Sequence, residues 1–174
     1  MHHPPHIFLD STWYFVTVSV YRRHRLFSSN PRKAILRDNL KVQLAEFHIN
    51  LAAWVILDNH YHILLKSREG RNLSHLFQKA HGKTAFELNG LDGLRGRQVW
   101  HNYWDTCIRD ERDFWTHLNY IHCNPVKHGY TRHAADWEFS SYGFYQRQRG
   151  DEWLAEVLRQ YPVIDFSDRR DDFD

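Results

Sequence analysis

Four side chains in this 174-residue chain could do chemistry together: His60, His62, Tyr120 and Asn124. Side chains alternate across a strand, so histidines two apart project in parallel from one face. Two neutral imidazoles placed that way are good ligands for a divalent cation. On a helix, residues four apart share a face, which puts Asn124 and its carbonyl oxygen one turn beyond Tyr120. A cation held beside a phenol would polarise a phosphodiester for attack by that phenol. The help is needed, because a free phenol titrates near ~10 and is protonated at neutral pH. His117 and His122 are the neighbours that could serve as general base. Each residue also has a plainer reading: packing or surface histidines in a chain with 14 of them, a buried tyrosine, an asparagine closing a helix before Pro125.

The elements that must position these groups are legible in the apolar pattern. Trp13 to Tyr21 alternates Tyr14, Val16, Val18 and Val20 against Trp13, Phe15, Thr17 and Ser19, the signature of a strand. A basic loop, Arg22-Arg23-His24-Arg25, follows. Asn30 and Pro31 read as N-cap and first helical residue. Leu36, Leu40, Leu44 and Phe47 form the buried stripe of that helix, with Arg32, Lys33, Arg37 and Lys41 largely elsewhere. Leu51 to Leu57 is a continuous apolar run, which predicts a central strand. Asp58-Asn59 turns the chain into a second strand, His60 to Lys66.

Asn72 can cap a helix through Leu88, with Leu73, Leu76, Phe77, Ala80, Thr84 and Leu88 inside and Lys79 and Lys83 outside. Glycines 90, 93 and 96 predict a loop. Gln98 to Arg109 is strand material, one strand or two bent near Trp104-Asp105. Asp110 and Asp113 open another helix, their charge at its positive end. Phe114, Leu118 and Ile121 face its core, and Pro125 should end it. An aromatic segment, Trp137 to Tyr145, precedes a short helix near Trp153 to Leu158. The order β-α-β-β-α-β-α mixes strands and helices in one core. It predicts an α+β fold, most economically a ferredoxin-like antiparallel sheet with helices packed on it.

Bulk properties narrow the classes. Hydrophobic residues make up 42% and aromatic residues 16%, enough for a real core. Charge is unevenly spread. Residues 1–150 hold 20 Lys/Arg against 13 Asp/Glu, and residues 151–174 hold 3 against 8. A basic body with an acidic end suits an anionic partner. Arg22, Arg23, Arg25, Lys79, Lys83 and Lys127 are the candidate contacts to the backbone of a polyanion. Two cysteines make no disulfide framework, and no apolar run is long enough to span a bilayer. The expectation is a cytoplasmic protein with no membrane partner. Residues 1–11 are expected to be a flexible N-terminus, 12–146 the functional domain, and 147–174 an acidic extension.

Two segments carry a family resemblance. Leu57-Asp58-Asn59-His60-Tyr61-His62-Ile63-Leu64-Leu65 resembles the HUH signature. Tyr120-Ile121-His122-Cys123-Asn124-Pro125-Val126-Lys127-His128-Gly129 resembles the tyrosine helix of single-tyrosine HUH transposases, especially the REP-associated tyrosine transposases. Gly96 to Trp100 and Trp137 to Tyr142 resemble the same branch. One departure is Leu57-Asp58, where the family usually has Met-Pro. The resemblance implies an HUH motif on a central strand, and Mg²⁺ or Mn²⁺ held by His60, His62 and Asn124. It implies cleavage and rejoining of single-stranded DNA, probed best as a hairpin, by Tyr120 through a 5′-phosphotyrosine. Monomer and homodimer with exchanged tyrosine helices both occur among such enzymes. Two other readings stay open: a zinc-type metallohydrolase recruiting His101 or Asp105, and a protein that grips DNA hairpins without cutting.

Overall fold

The computed structural model describes residues 8–164. Four strands form one antiparallel sheet: β1 (Trp13–Val20), β2 (Asn50–Ile56), β3 (His60–Lys66) and β4 (Trp100–Cys107), in the spatial order β2-β3-β1-β4. That order, with helices α1 (Asn30–Glu46), α2 (Arg71–Leu91) and α3 (Glu111–Lys127) in the crossovers and after β4, is the expected α+β, ferredoxin-like arrangement. Two short helices follow, α4 (Tyr142–Arg149) and α5 (Asp151–Gln160).

The alternation of β1 is what divides the molecule. Tyr14, Val16, Val18 and Val20 join Tyr61, Ile63 and Leu65 of β3 in a core under α1 and α2. Phe15 of β1, Leu64 of β3, and Ala53 and Val55 of β2 join Leu118, Tyr120 and Ile121 of α3 in a second core. All six residues expected on the inner side of α2 are buried. Asp110 caps α3 as expected, its carboxylate accepting from the Asp113 amide at 2.8 Å.

Several boundaries differ from expectation, each for a physical reason. β2 is an edge strand, not a central one. Its apolar run is explained by the cover of α3 and by residues 139–141: the Ile56 amide donates to the Phe139 carbonyl and the Ser141 amide to the Trp54 carbonyl. Residues 100–107 form one strand, with a register irregularity where they pass Val18 and Val20. Gly90 lies inside α2, whereas Gly93 and Gly96 take the positive φ values expected of a glycine loop. Ser29 occupies the N-cap of α1, so Asn30 and Pro31 begin the helix itself.

Pro125 does not end α3; the helix runs on to Lys127. Proline there gives up only its own amide bond, and the His128 amide still closes the turn on the Asn124 carbonyl.

Lys33, expected outside, is 2% exposed. Its ammonium meets Asp58 at 2.8 Å, and Arg25 meets the other carboxylate oxygen at 2.6 Å. Asp58 therefore ties α1 and the basic loop to the turn that launches β3.

The ends are also more integrated than expected. Residues 8–11 are pinned: Phe8 packs edge-on to Tyr14, Asp10 accepts from the Gly70 amide, and the Ser11 amide donates to Ser67. The first seven residues of the predicted flexible terminus lie outside the described residues, as do 165–174 of the acidic extension. The rest of that extension is docked. Asn119 of α3 donates to the carbonyls of Val157 and Tyr161, and Trp115 packs against Trp153.

Candidate active site

β3 sends Tyr61 to the α1/α2 side and His60 and His62 to the α3 side, because alternate residues of a strand face opposite ways. The two imidazoles lie edge-to-face with ring centroids 5.0 Å apart. α3 crosses β2 and β3, and its amphipathic pattern turns Tyr120 inward. The His62 and Tyr120 ring centroids are 5.3 Å apart, within one chain. Phe15 of β1 buttresses both, 5.4 Å from His62 and 5.8 Å from Tyr120. The convergence required by the sequence reading is therefore present.

Hydrogen bonds hold the Nδ1 atom of each ring and leave Nε2 toward the site. His60 Nδ1 lies 2.7 Å from Asn59 Oδ1, an acceptor, so Nδ1 carries the proton and Nε2 keeps its lone pair. His62 Nδ1 lies 2.8 Å from Thr17 Oγ1, a hydroxyl able to accept from Nδ1–H in the tautomer whose Nε2 presents a lone pair. Such an outer partner sets tautomer and ring orientation in metal-binding histidines. Burial pushes the His62 imidazole down to about 3, reinforced by the positive charges of His128, Lys127, Arg23 and His117, so it is neutral at ordinary pH. A neutral imidazole is the form that ligates.

Asn124 sits in the last part of α3 and is fully buried. Its Oδ1 and Nδ2 have no hydrogen-bond partner among the described residues, nor does His62 Nε2. Burying a polar group unpaired costs about 1–3 kcal/mol, so a partner for these atoms would be stabilising. Two imidazole nitrogens and an amide oxygen match a divalent cation that keeps further positions for water or phosphate. The residues present fit Mg²⁺ or Mn²⁺. Among the described residues no cluster of three His, Cys, Asp or Glu side chains could hold a metal. Asp105 pairs with Val16 and so lies on the opposite face from His62, while His101 stacks toward Tyr21.

The remaining candidates separate by position. Lys127 Nζ stands 5.1 Å from the centroid of the Tyr120 ring. Arg23 follows β1 and its charge reaches His62. Arg22 lies beside Tyr21. Arg25 is committed to Asp58. Lys79 and Lys83 lie on α2, across the sheet from Tyr120, and Lys79 pairs with Glu46. His117 is anchored to Asp113 and packs on Phe15 at 4.7 Å. His122 points away, its Nε2 2.9 Å from Ser141 Oγ and its ring against Tyr142 and Tyr145. Thr17 and Asn59, which orient the histidines, are missing from the sequence reading. The only signal for Thr17 is its place on the same face of β1 as Phe15, and its pairing with His62 is a matter of register.

Residues 9–124 match the family described as "Transposase IS200 like". The REP-associated tyrosine transposase of Escherichia coli (strain K12) is 30% identical over 133 residues, covering 75% of this chain and 76% of that one. A solved structure of a REP-associated tyrosine transposase bound to a REP hairpin is 26% identical, with a TM-score of 0.71 over 86% of this chain and 87% of that one. With the family match spanning well over half its length and a REP-associated relative 30% identical over three quarters of each chain, the chain belongs to the IS200-like transposases, in the REP-associated tyrosine branch.

Proposed function

We propose that this transposase-family enzyme cuts and rejoins single-stranded DNA, with Tyr120 as nucleophile and with His60, His62 and Asn124 holding Mg²⁺ or Mn²⁺. The observation that carries this reading is the bare, buried His62 Nε2 beside the Tyr120 ring, with the equally bare amide of Asn124 one helical turn beyond Tyr120 on α3. A bound cation would supply Lewis-acid polarisation of the scissile phosphate. The chain supplies the rest. Thr17 and Asn59 hold the imidazoles in the ligating tautomer. Lys127, over the Tyr120 ring, favours negative charge on the phenol as its proton leaves. Tyr120 is 1% exposed, so attack follows a shift of this ring or of the groups above it. The phenolic oxygen then bonds to phosphorus as the DNA 3′-oxygen departs and takes up a proton. The 5′-phosphotyrosine conserves the ester, and a 3′-hydroxyl can reverse the step.

The REP hairpin carried by the related solved structure makes hairpin-forming single strands the first substrates to try. Because the nucleophile and the histidines belong to one chain, the reaction can proceed in cis within a monomer. The test is incubation of labelled hairpin oligonucleotides with Mn²⁺, followed by a denaturing gel. The native chain should form a covalent adduct and Tyr120→Phe none. A persistent adduct in the variant would move the nucleophile elsewhere. Tight hairpin binding with no cleavage by the native chain would favour the non-cutting reading.

A further inference from the structure

The two histidines of β3 are not equally secured by the sheet. His62 is fixed from both sides, pairing with Thr17 of β1 and Val55 of β2. His60 is the first residue of β3 and lies beyond the last β2 pair, Ile56 with Tyr61. Strand ends are where a sheet opens most easily. The turn before His60 is correspondingly braced. The Phe27 amide donates to the Asp58 carbonyl at 2.9 Å and the Val20 amide to the Asn59 carbonyl at 2.8 Å. A buried ion pair stands behind the same turn. Asp58 is 5% exposed, and one of its oxygens meets the buried Lys33 ammonium. The other accepts two bonds from Arg25. The Lys33 ammonium also lies 5.0 Å from the Trp137 ring centroid, and the Trp137 indole donates to the Ile56 carbonyl at the end of β2.

A buried ion pair contributes little net stability, and an apolar pair of similar volume often serves the fold as well or better. What the pair does provide is position. A carboxylate held by α1 on one oxygen and by the loop after β1 on the other has one place to sit. The residue after it is Asn59, whose Oδ1 lies 2.7 Å from His60 Nδ1. We propose that the Lys33–Asp58 ion pair is a positioning device for the metal site: it fixes the turn from which Asn59 orients His60. The proposal rests on the reading of His60 as a metal ligand and adds to it two residues that touch neither the metal nor the DNA.

The experiment measures Mn²⁺ binding to the full chain by the loss of the free-ion signal in electron paramagnetic resonance, with urea unfolding of the same samples. In Lys33→Met/Asp58→Leu both charges are removed together, the methionine meets the aromatic wall, and the exposed Arg25 returns to solvent. Its urea midpoint should equal or exceed the native one, while its Mn²⁺ affinity should fall about tenfold. Asn59→Ala, which leaves the ion pair intact, should weaken Mn²⁺ to the same degree. Combining all three substitutions should add nothing further, because the pair acts through Asn59. Native Mn²⁺ affinity in either variant, or losses that add when the variants are combined, would overturn the positioning role. So would a fall in stability and affinity together in the double variant, the mark of a brace for the fold. In each of these cases the metal reading of His60 stands. It falls, and the proposal with it, if His60→Ala binds Mn²⁺ as the native chain does.

Discussion

The two faces of the sheet treat their buried histidines differently. Toward α1 and α2, Tyr61 is buried with its hydroxyl 2.7 Å from His81 Nε2, and Asn39 donates to Thr84 Oγ1 at 3.1 Å. Toward α3, one residue further along β3, His62 Nε2 is buried and bare, as is the Asn124 amide. Both faces contain a histidine pushed down to about 3 by burial. On the first face it completes a hydrogen bond inside a packed core. On the second, its other nitrogen makes no hydrogen bond among the described residues. The two histidines differ in what their nitrogens meet, and burial alone does not distinguish them.

Acid gives the largest test of the sealed face. Unfolded imidazole takes a proton near 6.5, and folded His81 does so only near 3. The folded state thus binds fewer protons between these values. The stability this group contributes is complete above about 6.5 and is lost as pH falls toward 3. For one such histidine the loss is roughly 1.4 kcal/mol per pH unit. Urea unfolding across this range should show a shallower acid decline in His81→Gln by about that slope. An unchanged slope would mean that His81 is protonated in the fold.

A smaller effect should come from Tyr61→Phe, which strands His81 Nε2. It should lower the unfolding free energy by about 1–3 kcal/mol while leaving Tyr120 adduct formation intact. Loss of adduct without loss of stability would break the division between the faces.

The smallest effect, and the one of opposite sign, is expected on the other face. Asn124→Leu removes two unpaired polar atoms, so metal-free stability should rise by about 1 kcal/mol in urea. On the proposed reading, Mn²⁺ at a hundredfold excess over Kd should stabilise the native chain by about 2.7 kcal/mol in urea, and the same variant should lose that gain. A variant that is destabilised, or that still responds fully to Mn²⁺, would remove Asn124 from the site.

Much of the fold could be read from the chain because its cause is local. The alternation of Trp13 to Val20 specified two faces, the α2 stripe specified its six buried residues, and Asp110 with Asp113 specified a helix start. The misreadings came from distant cover. β2 looked central because α3 and residues 139–141 shield an edge, and Lys33 looked exposed because Asp58 is 25 residues away.

The sequence by itself determined that His60 and His62 share a side and that Tyr120 and Asn124 share another, because strand and helix periods are properties of the backbone. Only the tertiary structure decided that these sides meet within one chain, that Thr17 holds His62, and that Lys79 and Lys83 stand across the sheet from the tyrosine. Strand register and helix packing arise from contacts between residues far apart in the chain, and no local pattern encodes them.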